Sequence, residues 1–191
     1  MKKKIAVLAS GSGTNAENIV NYFSGNENIE ISMIVSNKND AFVHERAKKT
    51  GIPSYYFSAN QFKESDDVLL FLQAEQIDWI VLSGFLLKIP ENLLRAFPDK
   101  IINIHPALLP KFGGRGMYGN RVHEAVVAAG ESKSGITIHY VNENYDEGKI
   151  IFQATCEVLP DDTPEKVAEK VHALEYEYFP GIIEKVVSCS G

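Results

Sequence analysis

The chain reads as one α/β domain: a doubly wound, mostly parallel, Rossmann-like sheet with late antiparallel strands and a C-terminal helix. Three observations predict this. Short apolar runs of strand length alternate with amphipathic helical stretches through the first half of the chain, the pattern of right-handed strand–helix–strand crossovers. A glycine-rich turn directly follows the first apolar run and opens a helix. In the second half the crossovers give way to two strand-like runs joined by a polar connection, and then to one long helical stretch.

Each element has its own reason. Residues 5–9 are continuously apolar, as in a strand covered on both faces. A helix is expected from about Asn15, with Ile19, Val20 and Phe23 on one side and Gly25 at its end. Residues 29–35 form a second strand, and 41–49 a helix stopped by Gly51 and Pro53. A short third strand is expected at 54–57. Residues 61–75 predict a single amphipathic helix whose apolar set is Val68, Leu69, Phe71 and Leu72. A strand at 79–82, a short helix at 91–96 and a strand at 100–104 follow. A helix over 122–129 ends at Gly130. Strands at 135–141, with Ile136, Ile138 and Tyr140 as its apolar side, and at 150–158 flank a polar connection that holds Asp146 and Gly148. Asp162-Thr163-Pro164-Glu165 is a strong helix start, with Asp162 or Thr163 as cap. The last helix runs to about Val187 and is expected to break or kink near Pro180-Gly181.

Composition narrows the functional classes. Apolar content of 45%, charged content of 23% and a net charge of −6 are ordinary for a globular protein. Lys2-Lys3-Lys4 is too short a basic block to form a nucleic-acid footprint. The apolar run behind it is too short for a secretory signal, and no run approaches the roughly 18 residues of a membrane span. Cys156 and Cys189 fall in no metal-ligand spacing and read as reduced thiols. The expectation is a cytoplasmic protein with no metal and no nucleic-acid or membrane partner.

Two segments carry chemistry. Ser10-Gly11-Ser12-Gly13-Thr14-Asn15-Ala16 joins a strand to a helix, where glycines admit an anion and free N–H groups meet it with a dipole term of about 0.3–1 kcal/mol. The loose dinucleotide fingerprint is met, but the acid expected after the second strand is replaced by Ser36-Asn37-Lys38, so a phosphate monoester fits better than a nicotinamide cofactor. In Ile101-Ile102-Asn103-Ile104-His105-Pro106, alternation puts Asn103 and His105 on one side of a strand that Pro106 must end. An amide donor beside a titratable imidazole, at the carboxyl edge of a parallel sheet, suits stabilisation of a developing oxyanion. Asp146 is the candidate carboxylate for His105, or else a surface turn residue. His44, His123, His139 and His172 read as structural. Because no nucleophile accompanies the pair, direct transfer between two bound molecules is the chemistry to expect.

Ser10-Gly11-Ser12-Gly13-Thr14-Asn15, Ser83-Gly84-Phe85, Asn103-Ile104-His105-Pro106-Ala107-Leu108-Leu109-Pro110 and Tyr145-Asp146-Glu147-Gly148 occur in an order that resembles the folate-dependent phosphoribosylglycinamide formyltransferases. The resemblance covers essentially the whole chain. It implies transfer of the formyl group of 10-formyltetrahydrofolate, a co-substrate rather than a bound cofactor, to the amine of glycinamide ribonucleotide (GAR) in purine biosynthesis. It implies Asn103, His105 and Asp146 as the catalytic set, with Asp146 raising the His105 pKa. GAR would be held by Gly13, Thr14, Asn15 and Glu175. Folate would be held by Leu86, Leu87, Lys88, Ile89, Asn103, Asn142, Glu143 and Tyr145. Residues 1–100 would then be a phosphate-binding half and 101–191 a catalytic and folate-binding half of a single domain.

Some features depart from the family pattern. Gly84-Phe85 is followed by Leu86-Leu87-Lys88-Ile89 where an Arg is common, and the segment 58–67 has no Arg near the folate tail. Residues 112–119 are longer and richer in glycine than the usual loop, either a lid or a surface insertion. The alternatives are a 10-formyltetrahydrofolate deformylase and a non-catalytic nucleotide-binding module; the first is expected to carry a further N-terminal domain. A tRNA formyltransferase is expected to carry a C-terminal one. Monomer and homodimer both remain open.

Overall fold

The computed structural model describes residues 2–189. Among them, seven strands form one sheet in the order β3-β2-β1-β4-β5-β6-β7. Strands β1 (Lys3–Leu8), β2 (Ile29–Ser36), β3 (Ser54–Tyr56), β4 (Trp79–Leu82) and β5 (Ile101–His105) run parallel. Strand β6 (Lys133–Tyr140) pairs antiparallel with β5, and β7 (Ile150–Glu157) antiparallel with β6. Helices α1 (Thr14–Tyr22), α2 (Val43–Thr50), α3 (Ala59–Glu64), α4 (Asp67–Ala74) and α5 (Glu91–Ala96) fill the crossovers; α6 (Asn120–Ala128) and α7 (Pro164–Cys189) complete the domain.

Side-chain alternation explains why both faces of the sheet are covered. In β1 and just beyond it, Ile5, Val7 and Ala9 enter a core shared with α1, α2, α6 and α7. Ala6 and Leu8 enter a second core with Phe62 of α3, Leu72 of α4 and Leu93 of α5. Each fully buried Ile, Leu or Val contributes about 1.5–3 kcal/mol, so the strand is tied down from both sides.

The sheet order also positions the site. From β1 the chain builds outward through β2 to β3, then returns to lay β4 and β5 on the other side of β1. The loops leaving the carboxyl ends of β1 and β4 therefore diverge, which opens a crevice at this switch point. Ser10 spans its floor: its N–H donates to the Gly84 carbonyl (3.1 Å), and its Oγ accepts from the Leu86 N–H (2.9 Å) and donates to Asn37 Oδ1 (2.5 Å).

Two helices differ from expectation. The stretch 61–75 is not one helix but two, because local polar bonds compete with the helical ladder. Ser58 and Gln61 form a capping box that starts α3, and Ser65 ends it in an extended conformation. The Ser65 hydroxyl donates back to the Gln61 carbonyl (3.0 Å) and accepts from the Asp67 N–H (3.3 Å). By contrast, α7 runs through Pro180 without interruption. Proline removes the N–H that would meet the carbonyl of Tyr176, and Asn18 of α1 donates its Nδ2 to that same carbonyl at 3.1 Å. At the start of α7, Thr163 Oγ1 accepts from the Lys166 N–H, while Asp162 accepts from the Leu159 N–H and pairs with Lys170. Thr163 is thus the cap.

Candidate active site

The glycine turn lies at the end of β1, and its shape is dictated by packing. Gly13 sits in the left-handed region (φ 73°), and a Cβ there would lie 2.3 Å from Val43 Cγ2. Gly13 caps α1 with no side-chain hydrogen bond, which leaves first-turn N–H groups free for an anion. Arg46 Nε donates to the Ser12 carbonyl (2.8 Å) and pairs with Glu17, so the carbonyl that would repel an anion is already engaged.

Asn103 and His105 stand at the carboxyl end of β5, as their spacing predicts. His105 is 4% exposed, and its Nε2 lies 2.8 Å from the Phe112 carbonyl. A carbonyl only accepts, so Nε2 carries the proton. Nδ1 faces Asp146 Oδ2 at 3.6 Å, an ion pair whenever the ring is charged. Asp146 arrives from the turn between β6 and β7 in a left-handed conformation (φ 58°), and Phe112 shares that region (φ 56°). Both residues that address His105 therefore hold sparsely populated backbone, as strained functional sites do. The Gly114 N–H donates to Asp146 Oδ2 at 2.9 Å.

These contacts set the charges. Burial pushes the His105 pKa below the ordinary imidazole value; Asp146 and the Phe112 carbonyl pull it back up without prevailing. The expectation that Asp146 raises this pKa holds for the direction of its own effect and fails for the sum, because desolvation of the imidazolium is larger. For Asp146 itself, burial opposes ionisation. The neighbouring His139, the His105 charge and the Gly114 N–H outweigh that and hold the carboxyl below its usual range.

His139, which reads as structural in the sequence, belongs to this cluster. Antiparallel pairing of β5 and β6 sets it opposite Asn103, whose Nδ2 lies 3.1 Å from His139 Nε2. His139 Nδ1 donates to the Tyr140 carbonyl (2.8 Å), which leaves Nε2 of the neutral ring to accept from Asn103. His139 Nε2 is also 3.7 Å from Asp146 Oδ1. One signal could have found it: Thr137 and His139 occupy the side of the strand opposite Ile136 and Ile138. Thr137 serves the backbone instead, since its Oγ1 donates to the Ala107 carbonyl (2.7 Å) and accepts from the Leu109 N–H (3.0 Å), which fixes the turn after His105.

Glu175 comes from α7 and meets the glycine turn across 160 residues of sequence, with Asn15 Nδ2 donating to its Oε2 at 2.8 Å. His172 Nδ1 bonds the same oxygen at 2.7 Å. His123 of α6 lies edge-on to His172, ring centroids 6.3 Å apart. These two histidines also read as structural in the sequence. Both line the cavity, and nothing in their helical positions separates them from core residues.

The glycine turn, Asn103, His105, Asp146, His123, His172 and Glu175 surround one cavity of about 610 Å³, with His139 behind Asn103 and outside its lining. Of the candidate site residues, Gly13, Thr14, Asn15, Leu86, Asn103, His105, Tyr145, Asp146 and Glu175 line it. Leu87, Lys88, Ile89, Asn142 and Glu143 do not; Ile89 is buried in the second core, and Leu87 packs against it. Residues 114–119 form one wall, so the glycine-rich stretch is part of the site rather than a remote surface insertion. Among the described residues no group of three or more His, Cys, Asp or Glu side chains is arranged to hold a metal ion. Both cysteines lie outside the cavity lining, and burial pushes the Cys156 thiol up.

The sequence model of the formyl transferase family matches residues 3–183, a span that contains every residue of this site. The chain belongs to the formyl transferase family. Relatives within it include a phosphoribosylglycinamide formyltransferase of Haemophilus influenzae, 38% identical over 95% of this chain and 86% of its own length. A chloroplastic phosphoribosylglycinamide formyltransferase of Arabidopsis thaliana is 40% identical over 95% of this chain. The chain spans 64% of that plant relative and 60% of the one from Vigna unguiculata. The crystal structure of phosphoribosylglycinamide formyltransferase from Bacillus halodurans superposes with a TM-score of 0.87 at 34% identity, covering 99% of this chain and 97% of that one. The two chains therefore share one fold over nearly their whole lengths.

Proposed function

We propose that the protein transfers the formyl group of 10-formyltetrahydrofolate to the amine of GAR, as phosphoribosylglycinamide formyltransferases do. The observation that carries this reading is one cavity with an anion-receiving glycine turn at one end and the Asn103–His105–Asp146 cluster in its wall. The acceptor amine attacks the formyl carbon; a C–N bond forms as the bond to N10 of the folate breaks. The amine gives up a proton and N10 takes one up. Asn103 has one amide N–H on His139 and a second for the oxyanion of the tetrahedral intermediate. The His105 Nε2–H, now on the Phe112 carbonyl, is the other donor. Burial disfavours imidazolium at rest, whereas a neighbouring oxyanion favours it, so the interaction strengthens as charge develops. Asp146 balances the positive ring.

The phosphate of GAR occupies the turn at Gly13, Thr14 and Asn15, and Glu175 contacts the ribonucleotide. The folate lies against Leu86, Tyr145 and Asn103. Ile89 and Leu87 serve the second core instead of the folate, and Lys88, Asn142 and Glu143 lie outside the cavity lining. Residues 1–100 supply the phosphate end and residues 101–191 the catalytic groups. The protein acts in the cytoplasm; among the described residues no helix is long and apolar enough to cross a membrane. The test is tetrahydrofolate release from 10-formyltetrahydrofolate by the purified protein with and without GAR. Release only with GAR is the expected result. Release without it would mean a deformylase, and no release in either case by the folded protein would point to an amine acceptor other than GAR.

A further inference from the structure

No residue of α2 lines the cavity, yet two of its donors grip the glycine turn from behind. The N–H of Val43, the first residue of α2, has no partner within its own helix and donates to the Gly11 carbonyl at 3.1 Å. Arg46, one helical turn on, donates its Nε–H to the Ser12 carbonyl at 2.8 Å. Its guanidinium also pairs with Glu17 of α1 and lies 5.2 Å from the centre of the Phe42 ring, while Lys49 reaches the same Glu17 at 3.3 Å. A trans peptide points its C=O and the following N–H in opposite directions. Holding the Gly11 carbonyl toward α2 therefore sends the Ser12 N–H away from α2, toward the cavity that the turn lines. Holding the Ser12 carbonyl does the same for the Gly13 N–H. Each of these two peptides has a glycine on one side, so the turn by itself restrains them weakly.

We propose that Arg46 is a positioning residue for the acceptor's phosphate, fixing the Ser12–Gly13 peptide so that its N–H, and not its carbonyl, meets the phosphate oxygens. This rests on the assignment of the GAR phosphate to the glycine turn. Arg46 lies outside the cavity lining and acts only through Ser12. Rotation of that peptide would turn a carbonyl oxygen onto a dianion and exchange an attraction for a repulsion. The guanidinium suits the task because its planar fork serves Ser12 and Glu17 together, whereas a lysine offers a single point charge. Val43 secures the preceding peptide through its main chain, so substitution of the Arg46 side chain tests one peptide alone.

The test is steady-state kinetics of the wild type, Arg46→Ala and Arg46→Lys with two acceptors, GAR and glycinamide riboside, which lacks the phosphate. Arg46→Ala is expected to raise the KM for GAR about tenfold, with kcat and the folate KM within about twofold. Its kcat/KM for the riboside is expected to stay within about twofold of wild type, so the preference for the phosphorylated acceptor shrinks about tenfold. Arg46→Lys, which can hold Ser12 or Glu17 but not both, is expected to recover part of the loss. Thermal melts exclude a variant that fails to fold, and Arg46→Lys is read alone if Arg46→Ala does. An arginine that only stabilises the fold would lower kcat/KM for both acceptors alike; that result, or an unchanged KM for GAR, would overturn the inference. The turn is also followed directly, by the NMR shifts of the Ser12 and Gly13 amides on titration with inorganic phosphate. Both are expected to move in the wild type and to move far less in folded Arg46→Ala, and equal movement in the two proteins would overturn the inference. If the wild type shows no GAR-dependent turnover, the functional reading falls and the phosphate titration alone decides the role of Arg46.

Discussion

Replacing Asp146 by Asn keeps the side chain's shape and removes its charge. The Gly114 N–H retains an oxygen to donate to, so the local fold should survive. His105 loses the carboxylate 3.6 Å from its Nδ1. At that distance, with an effective dielectric of about 20, the attraction between carboxylate and imidazolium is about 4–5 kcal/mol. Both groups are largely buried, so solvent screens this little. With burial opposed only by the Phe112 carbonyl and Glu175, the His105 transition moves to still lower pH, and less imidazolium is available when the oxyanion forms. Each 1.36 kcal/mol is tenfold in rate, so loss of the whole attraction corresponds to about three decades in kcat. We expect a fall of two to three decades, with GAR and folate affinities little changed. The assays are kcat against pH, and NMR titration of the His105 ring in wild type and variant. An imidazole transition that stays in place, with kcat within about threefold, would refute the reasoning.

Other expected outcomes follow from single contacts. Asn103→Ala removes one oxyanion donor and should lower kcat by about 10²–10³, or about 3–4 kcal/mol, while KM moves little; the reverse pattern would make Asn103 a binding residue. Gly13→Ala drives a Cβ to 2.3 Å from Val43 Cγ2 and should lower both the melting temperature and GAR affinity. Adding Val43→Ala removes only the nearest of the clashing atoms and leaves Val43 Cβ at 2.6 Å and Cα at 2.9 Å, so most of the loss should persist; full restoration would contradict the clash as the cause. His105 and His123 have lowered pKa values, burial being the first cause, so the folded chain binds fewer protons than the unfolded one. Stability should therefore fall as pH drops below about 6.5, and Asp146 should extend the fall at lower pH. His172 is raised by Glu175 and contributes in the opposite sense, its part fading as pH rises. Melting temperature from pH 8 to 4 checks this, and a flat profile would contradict it. Asn18→Ala should cost up to about 1 kcal/mol, and less when Pro180 is Ala, because a helical N–H then competes for the Tyr176 carbonyl.

What the sequence determined by itself is local in origin. The period of two puts Asn103 and His105 on one side of β5, and Pro106 ends that strand, whatever the rest of the chain does. The glycine turn, the helix start at Thr163 and the doubly covered strand β1 likewise follow from neighbouring residues. The split between α3 and α4 is local too, but the competing bonds of Ser65 are weaker signals than the apolar period that masks them.

The remainder was decided by tertiary structure. Pro180 marks a helix break in the sequence, yet α7 continues because Asn18, on another helix, bonds the carbonyl that proline leaves free. Asp146 is a turn residue until the return of β6 beside β5 delivers it to His105. His139 joins Asn103 only through the antiparallel register. Glu175 and Asn15, 160 positions apart, meet because α7 packs on α1. The physical reason is common to all four: a side chain's role depends on what faces it, and those partners arrive by sheet pairing and helix packing, which no short stretch of sequence encodes.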